Sequence, residues 1–341
     1  MPPNHPRRIA VLGAGAWGTA LANLAARPGA GDEVEVTLWS RDPAHVVEMN
    51  ATGINARYLP GVPILSNVRP IAEPAEVHGS DLILAVIPAQ ALRPVLELFV
   101  PYLVEGVPIV VCAKGIENTT GRFLSEVAAE MLPDNPPAIL SGPSFAKEVA
   151  QGLPTAVTVA ARDGELAAKI AGMLAAPSFR LYSSSDVRGV EIGGAAKNVL
   201  AIASGIATGR GLGASAGAAL IARGFAELSR FGRAHGAKPS TLAGLSGLGD
   251  LVLTCTSAIS RNYAFGVTLG QGLPLADAVG RSGLCEGVHT CGVLVDLANA
   301  KEIDMPIAAA VDAVLAERIT VEEAIALLLA RPSKAEFDEG D

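Results

Sequence analysis

The sequence predicts an α/β protein in which an N-terminal doubly wound sheet is followed by an all-helical C-terminal domain. Short apolar runs alternate with helix-compatible segments through the first half, and a closely spaced glycine triplet stands between the first run and the first helical segment. After about Ser183 the apolar period changes from that of strands to that of helices. At 341 residues the chain exceeds the size at which one core stops growing, which fits two domains, expected over 1–183 and 184–341.

The first run is Ile9 to Leu12, and Thr19 to Ala26 beyond the glycines has helical character. Further runs at Val34 to Trp39, Leu82 to Ile87, Ile109 to Cys112, Ile139 to Ser141 and Ala156 to Ala160 are each bounded by Gly, Pro or polar residues. Buried strands separated by helices imply a parallel sheet covered on both faces, with right-handed crossovers. Ser183-Ser184-Ser185-Asp186 then supplies helix-capping side chains. Farther on, Ala218 to His235 and Thr320 to Leu329 place apolar residues three and four apart, with Thr320 as a cap followed by Glu322 and Glu323. The tail after Pro332 is charged and reads as loosely held.

Half the residues are hydrophobic but only 4% are aromatic, so the interior is built from closely packed Ala, Val, Leu and Ile. A net charge of -8 with no basic run argues against nucleic acid or an anionic membrane as partner, and leaves an anionic substrate only a few local positive groups. Cys112, Cys255, Cys285 and Cys291 form no disulfide framework, which fits a reducing cytoplasm. The stretch Cys285 to Cys291, with His289 inside it, matches no usual zinc spacing, and no metal is expected. Arg7-Arg8 followed by eighteen uncharged residues has the outline of a secretion signal or membrane span. The glycines that interrupt it favour a strand, turn and helix, without membrane insertion. His5, His45, His78, His235 and His289 lie in no catalytic relay pattern and read as surface or structural residues.

Gly13-Ala14-Gly15-Ala16-Trp17-Gly18 follows the first run directly and opens a helix, the context a Rossmann-type dinucleotide fingerprint needs. Gly13 permits the tight turn, Gly15 lets a pyrophosphate approach the backbone, and Gly18 lets helix and strand pack closely. The N–H groups at the helix start then face the phosphates. The second strand ends in Ser40-Arg41-Asp42, where an acidic residue would grip a ribose 2′-hydroxyl and Arg41 would suit a 2′-phosphate. On spacing alone, Arg41 reads equally as a solvated arginine and Asp42 as the cap of the next helix. The cofactor expected is NADP(H) and/or NAD(H).

Beyond the fingerprint, the chain from about Ile9 to Leu329 resembles the bacterial-type NAD(P)-dependent glycerol-3-phosphate dehydrogenases. The resemblance rests on Gly13 to Ala20, Ala113-Lys114-Gly115-Ile116-Glu117, Ser141 to Glu148, Gly152-Leu153-Pro154-Thr155 and Gly193 to Val199, and continues through Gly247 to Thr256, Ser260-Arg261-Asn262 and Glu286-Gly287. It implies that Lys197 exchanges a proton with the reacting oxygen, with Lys114 and Asp250 as catalytic partners. By the same resemblance, Lys114, Gly142, Ser144, Lys197, Asp250, Thr254, Ser260, Arg261 and Asn262 hold a phosphorylated small-molecule substrate. For the cofactor it implies Ala16, Trp17, Arg41, Lys114, Ala146, Arg261, Leu284 and Glu286, with Tyr58 as a further candidate. Ala16 stands where the family usually has serine and offers only its backbone, and Leu284-Cys285 stands where small branched residues are frequent. A cytoplasmic homodimer that supplies glycerol 3-phosphate for phospholipid synthesis is the expectation.

Elementary chemistry agrees with these roles without requiring them. Hydride transfer to a ketone builds charge on its oxygen, which a positioned lysine can stabilise and protonate. Lys197 lies in the apolar helical stretch Ile192 to Ala203, where desolvation lowers an ammonium pKa and Lys114 would lower it further. A lysine within a helix is otherwise usually a snorkelling surface residue. Lys114 follows an apolar run and precedes Gly115, at the carboxyl end of a strand where open α/β sheets place ligands. Asp250 follows Gly247-Leu248-Gly249 and either orients a lysine or caps a helix. Ser260-Arg261-Asn262 suits a monophosphate, or equally a capped helix start with an exposed arginine. The rival expectations are a 3-hydroxyacid or ketopantoate-type dehydrogenase of the same plan and a non-catalytic NADP(H)-sensing module.

Overall fold

The computed structural model describes residues 6–27 and 33–332, so His5 and the tail after Pro332 lie outside the described residues. Strand β1 (Arg7–Leu12) leads through the glycine turn into α1 (Ala16–Ala25), then β2 (Val34–Trp39), α2 (Pro43–Thr52) and β3 (Val68–Ile71). A second run of crossovers follows: β4 (Leu82–Ala85), α3 (Leu92–Phe99), β5 (Ile109–Val111), α4 (Leu124–Met131) and β6 (Pro137–Ser141). The sheet is completed by α5 (Ala146–Ala150), β7 (Thr155–Ala161), α6 (Gly164–Leu174) and β8 (Phe179–Ser184). The span read as a possible signal or membrane segment is therefore the first strand, turn and helix.

The sheet has eight strands in the order β3-β2-β1-β4-β5-β6-β7-β8, so its direction of winding reverses between β1 and β4. Along β1, Ile9 and Val11 enter the core on one face and Ala10 and Leu12 the core on the other, as expected of strands covered on both sides. All six apolar runs are strands. The all-parallel expectation needs correction at one edge: β7 pairs antiparallel with β6 (Ser141 opposite Thr158), and β8 then runs parallel to β7. β3 and β8, absent from the sequence reading, are the two edge strands. The first contains Pro70 and the second is largely exposed, so neither makes a continuous apolar run.

The helical part comprises α7 (Val187–Gly209), α8 (Gly213–Ala234), α9 (Pro239–Leu242), α10 (Asp250–Thr256), α11 (Arg261–Gly270), α12 (Leu275–Ser282), α13 (Glu286–Asn299), α14 (Pro306–Leu315) and α15 (Val321–Leu329). Ser183 and Ser184 complete β8 and Asp186 alone caps α7, its side chain accepting from Gly189 N. Thr320 and Glu323 form a reciprocal capping box at the start of α15.

Helix α7 is continuously buried from Gly189 to Ala207, mostly apolar but with Glu191, Lys197, Asn198 and Ser204 among its buried residues. By length and composition it could cross a membrane, but 94% of its apolar window is buried inside this protein. α11 crosses it where Gly205 and Gly209 face Gly266 and Gly270, and a methyl group added at Gly266 would collide with the Ile202 carbonyl oxygen. A cavity of about 600 Å³ lies between α7, α8, α14 and α15, and neither Lys114 nor Lys197 lines it. Gly266→Ala is expected to cost about 1–3 kcal/mol by overpacking this crossing and to lower the melting temperature, measured by calorimetry.

Candidate active site

The reversal of winding opens a crevice at the carboxyl ends of β1 and β4, where open α/β sheets bind ligands. Gly13 has φ +114°, and a Cβ there would collide with the Val86 carbonyl after β4; a Cβ on Gly18 would collide with the Gly13 carbonyl. Gly15 has nothing within 4 Å of where its Cβ would be, leaving open approach to the backbone at the N-terminus of α1. That terminus has no side-chain cap. Steric need at the first and third glycines, free space at the second and unclaimed N–H groups fit a dinucleotide pyrophosphate.

At the far end of β2, Asp42 caps α2 by accepting from Ala44 N and His45 N, and its other oxygen pairs with Arg57 at 2.8 Å. Its carboxyl is held below the ordinary range chiefly by Arg57. Arg41 beside it is exposed. Tyr58 is half exposed and stands edge-on to His45. Ala16 and Trp17 form the first turn of α1, and Ala146 opens α5, which packs against α1.

Across the crevice, Lys114, Gly142, Lys197, Asp250 and Thr254 share one hydrogen-bond network. Lys114, just beyond β5, donates to Asp250 Oδ2 at 2.7 Å and to the Gly142 carbonyl at 3.0 Å. Lys197, from the middle of α7, donates to Asp250 Oδ1 at 2.6 Å and Thr254 Oγ1 at 2.7 Å. Asp250 is the first residue of α10, but its carboxylate faces the lysines and is not a helix cap. A π-helical turn over Leu245–Gly249 delivers it. That turn presses against α7: a Cβ on Gly193 would collide with the Ser246 carbonyl.

Lys197 is only 6% exposed, which removes the snorkelling alternative. Burial pushes its pKa down to about 8; Asp250 opposes the shift and Lys114 adds to it. Burial also works against the charge on Asp250, but Lys114 and Lys197 more than offset this and hold its pKa below the ordinary value. A lysine that titrates near neutrality beside a fixed carboxylate is suited to proton transfer.

The remaining candidates divide. Ser144 Oγ donates to the Gly142 carbonyl at 3.1 Å, next to Lys114. Ser260 caps α11 by accepting from Tyr263 N, and buried Asn262 accepts from Gly287 N and donates to Asn198. Arg261 is the exposed member of that trio. Leu284 is exposed in the loop before α13. Glu286 is half-buried, Oε1 accepting from Ala89 N at 3.3 Å and the buried Oε2 without a hydrogen-bond partner, and burial raises its pKa. Asn198, given no role in the sequence reading, donates to the Lys114 carbonyl at 3.3 Å and so links Lys114 to Asn262. Its position immediately after Lys197 was the available signal. Among the described residues no three His, Cys, Asp or Glu side chains are grouped to hold a metal ion, and the four cysteines are buried and form no disulfide.

A glycine-rich turn at a sheet crevice, together with a buried carboxylate shared by a lysine from a strand end and a lysine from the helical part, defines a pyridine-nucleotide-dependent dehydrogenase. The profile described as NAD-dependent glycerol-3-phosphate dehydrogenase N-terminus matches residues 8–167, and the one described as its C-terminus matches 186–326. The chain belongs to the NAD-dependent glycerol-3-phosphate dehydrogenase family. A protein of Beijerinckia indica named glycerol-3-phosphate dehydrogenase [NAD(P)+] is 67% identical, covering 97% of this chain and 98% of its own. The crystal structure of glycerol-3-phosphate dehydrogenase from Coxiella burnetii superposes with a TM-score of 0.90 at 40% identity, over 96% of this chain and 99% of that one. A ketopantoate reductase of Ralstonia eutropha shares the fold alone, with a TM-score of 0.59 at 22% identity over 93% and 99% of the two chains.

Asp250→Asn leaves two ammonium groups without their shared counter-charge, so a loss on the order of 3–5 kcal/mol is expected in urea denaturation at pH 7. An unchanged midpoint would mean the network contributes nothing to stability.

Proposed function

We propose that this chain interconverts dihydroxyacetone phosphate and sn-glycerol 3-phosphate with NADP(H) or NAD(H). The single observation that carries this reading is the Lys197 ammonium, buried and held by Asp250 and Thr254, across the crevice from the glycine turn. The relatives' names point to the same reaction. A 3-hydroxyacid or ketopantoate substrate has only a distant fold likeness in its favour.

When bound, the nicotinamide supplies the hydride for the ketone carbon, or accepts it in the reverse direction. Lys197 gives its proton to the oxygen of that carbon, and in reverse takes it back. Asp250 and Thr254 keep the amine aimed, while Lys114 adds a second positive charge where the oxyanion develops. Arg261 and the backbone at the start of α11 bind the phosphate, with Ser260 and Asn262 fixing that helix start, and Gly142 and Ser144 close the substrate side next to Lys114. Ala16, Trp17, Arg41, Tyr58, Ala146, Leu284 and Glu286 line the nucleotide side. Arg41 would face a 2′-phosphate, since Asp42 is already engaged by its helix and by Arg57. In the cell we assign it to the cytoplasm as a homodimer, supplying glycerol 3-phosphate to phospholipid synthesis.

The test is oxidation of NADPH by dihydroxyacetone phosphate, followed at the reduced-nicotinamide band. Lys197→Met is expected to lower kcat by about 10²–10⁴-fold with NADPH binding retained; near-normal turnover would defeat the assignment. In the native protein the reduction should slow as pH rises through about 8, where Lys197 loses its proton, and the oxidation should quicken over the same range. Arg261→Ala is expected to raise KM for the phosphorylated ketone roughly 10–100-fold, the worth of a charge-assisted hydrogen bond. An unchanged KM would remove Arg261 from the phosphate site.

A further inference from the structure

A dinucleotide would touch the sheet domain at two separate places, the glycine turn after β1 and the Ser40-Arg41-Asp42 end of β2. A buried polar relay joins them. Asn55, in the segment after α2 and fully buried, donates from Nδ2 to the Ala14 carbonyl at 2.9 Å and to Thr19 Oγ1 at 2.7 Å. Its Oδ1 accepts from His45 Nε2 at 3.0 Å and from Tyr58 N at 3.2 Å. All four hydrogen-bonding positions of the amide are filled, which fixes its orientation and makes His45 Nε2 the protonated nitrogen. His45 Nδ1 is then the acceptor, facing Ser40 Oγ at 3.4 Å, and Ser40 Oγ accepts from Asp42 N at 3.3 Å. The relay thus runs without a break from the carbonyl between the first two fingerprint glycines to the end of β2.

We infer that Asn55 and His45 are positioning residues for the cofactor, holding the pyrophosphate turn and the adenosine end of the crevice in one register. The inference rests on the dinucleotide reading proposed above. Neither side chain touches the crevice directly, and both are too deeply buried to meet a ligand: His45 is 1% exposed and Asn55 0%. Their contribution is geometric. Ala14 is the residue whose peptide must turn correctly for Gly15 to present its backbone, and a buried carbonyl without a donor would rotate toward any alternative partner. Preset geometry lowers the ordering cost that binding must otherwise meet, so loss of the relay falls on affinity more than on chemistry.

The test compares Asn55→Ala, His45→Leu and His45→Gln with the native protein by direct fluorescence titration of NADPH, kcat at saturating NADPH and thermal melting. The Gln variant carries an N–H donor near the position of the imidazole Nε2. The expected result is a Kd for NADPH at least tenfold higher in Asn55→Ala and His45→Leu, with kcat within threefold of native. His45→Gln should return Kd to within threefold of native. Folded Asn55→Ala or His45→Leu protein with native Kd would overturn the inference, as would His45→Gln behaving like His45→Leu. If Asn55→Ala does not fold, the two His45 variants decide the matter. A native protein that binds no NADPH would overturn the functional reading and this inference together, whereas native binding with unaffected variants overturns this inference alone.

Discussion

Asp250 is a carboxylate almost entirely out of water, tolerable only because two ammonium groups and a hydroxyl surround it. Those two ammonium groups come from different parts of the chain: Lys114 from the end of a central strand, Lys197 from the long helix of the second half. Their shared partner must therefore stand where the sheet and the helical part of the chain meet, and several backbone features follow from that demand. The π-helical turn before α10 redirects the chain so that the carboxylate points at α7. Gly193 and Gly247 let that turn lie against its neighbours, where any side chain would collide with a carbonyl. Gly194 does the same for Ser141 and the stem of Lys114.

The reversal of β7 and β8 belongs to the same scheme. β6 ends at the crevice, so a strand antiparallel to it begins there, and β8, parallel to β7, ends at the opposite edge of the sheet. Helix α7 starts at that distant edge and runs back along the sheet, with Val190 joining the sheet's own core. Ten residues of helix rise about 15 Å, close to the length of a five-residue strand. Lys197 stands ten residues beyond Val187 and so reaches the level of the crevice. Parallel strands to the end of the sheet would have started the helix at the wrong side.

Elements whose physics is local were legible in advance. The six inner strands are continuous apolar runs, the capping box at Thr320 is a short-range pattern, and the glycine turn is defined by its own steric needs. The edge strands were not legible, because Pro70 breaks one pattern and exposure the other. The direction of β7 was not either, since a strand reads alike in both senses. Among the site residues, proximity of Lys114, Lys197, Asp250 and Thr254 depends on contacts across as many as 136 positions, which no spacing rule conveys. It was anticipated only through likeness to a family. The Asn55–His45 relay escaped for a related reason: isolated Asn and His residues have no signature until a fold brings them together.

The network of two lysines and one carboxylate carries a single unit of positive charge when Lys197 is protonated, inside a chain whose formal charge is -8. For a phosphorylated substrate the distant field is thus repulsive and the attraction confined to the last few ångströms. Screening at physiological ionic strength extends only to about 8 Å, so it mutes the repulsion at long range while leaving desolvated partners in the crevice largely untouched. If the anion binds there, its capture owes little to electrostatic steering and depends on diffusion delivering it to the few cationic groups around Asp250.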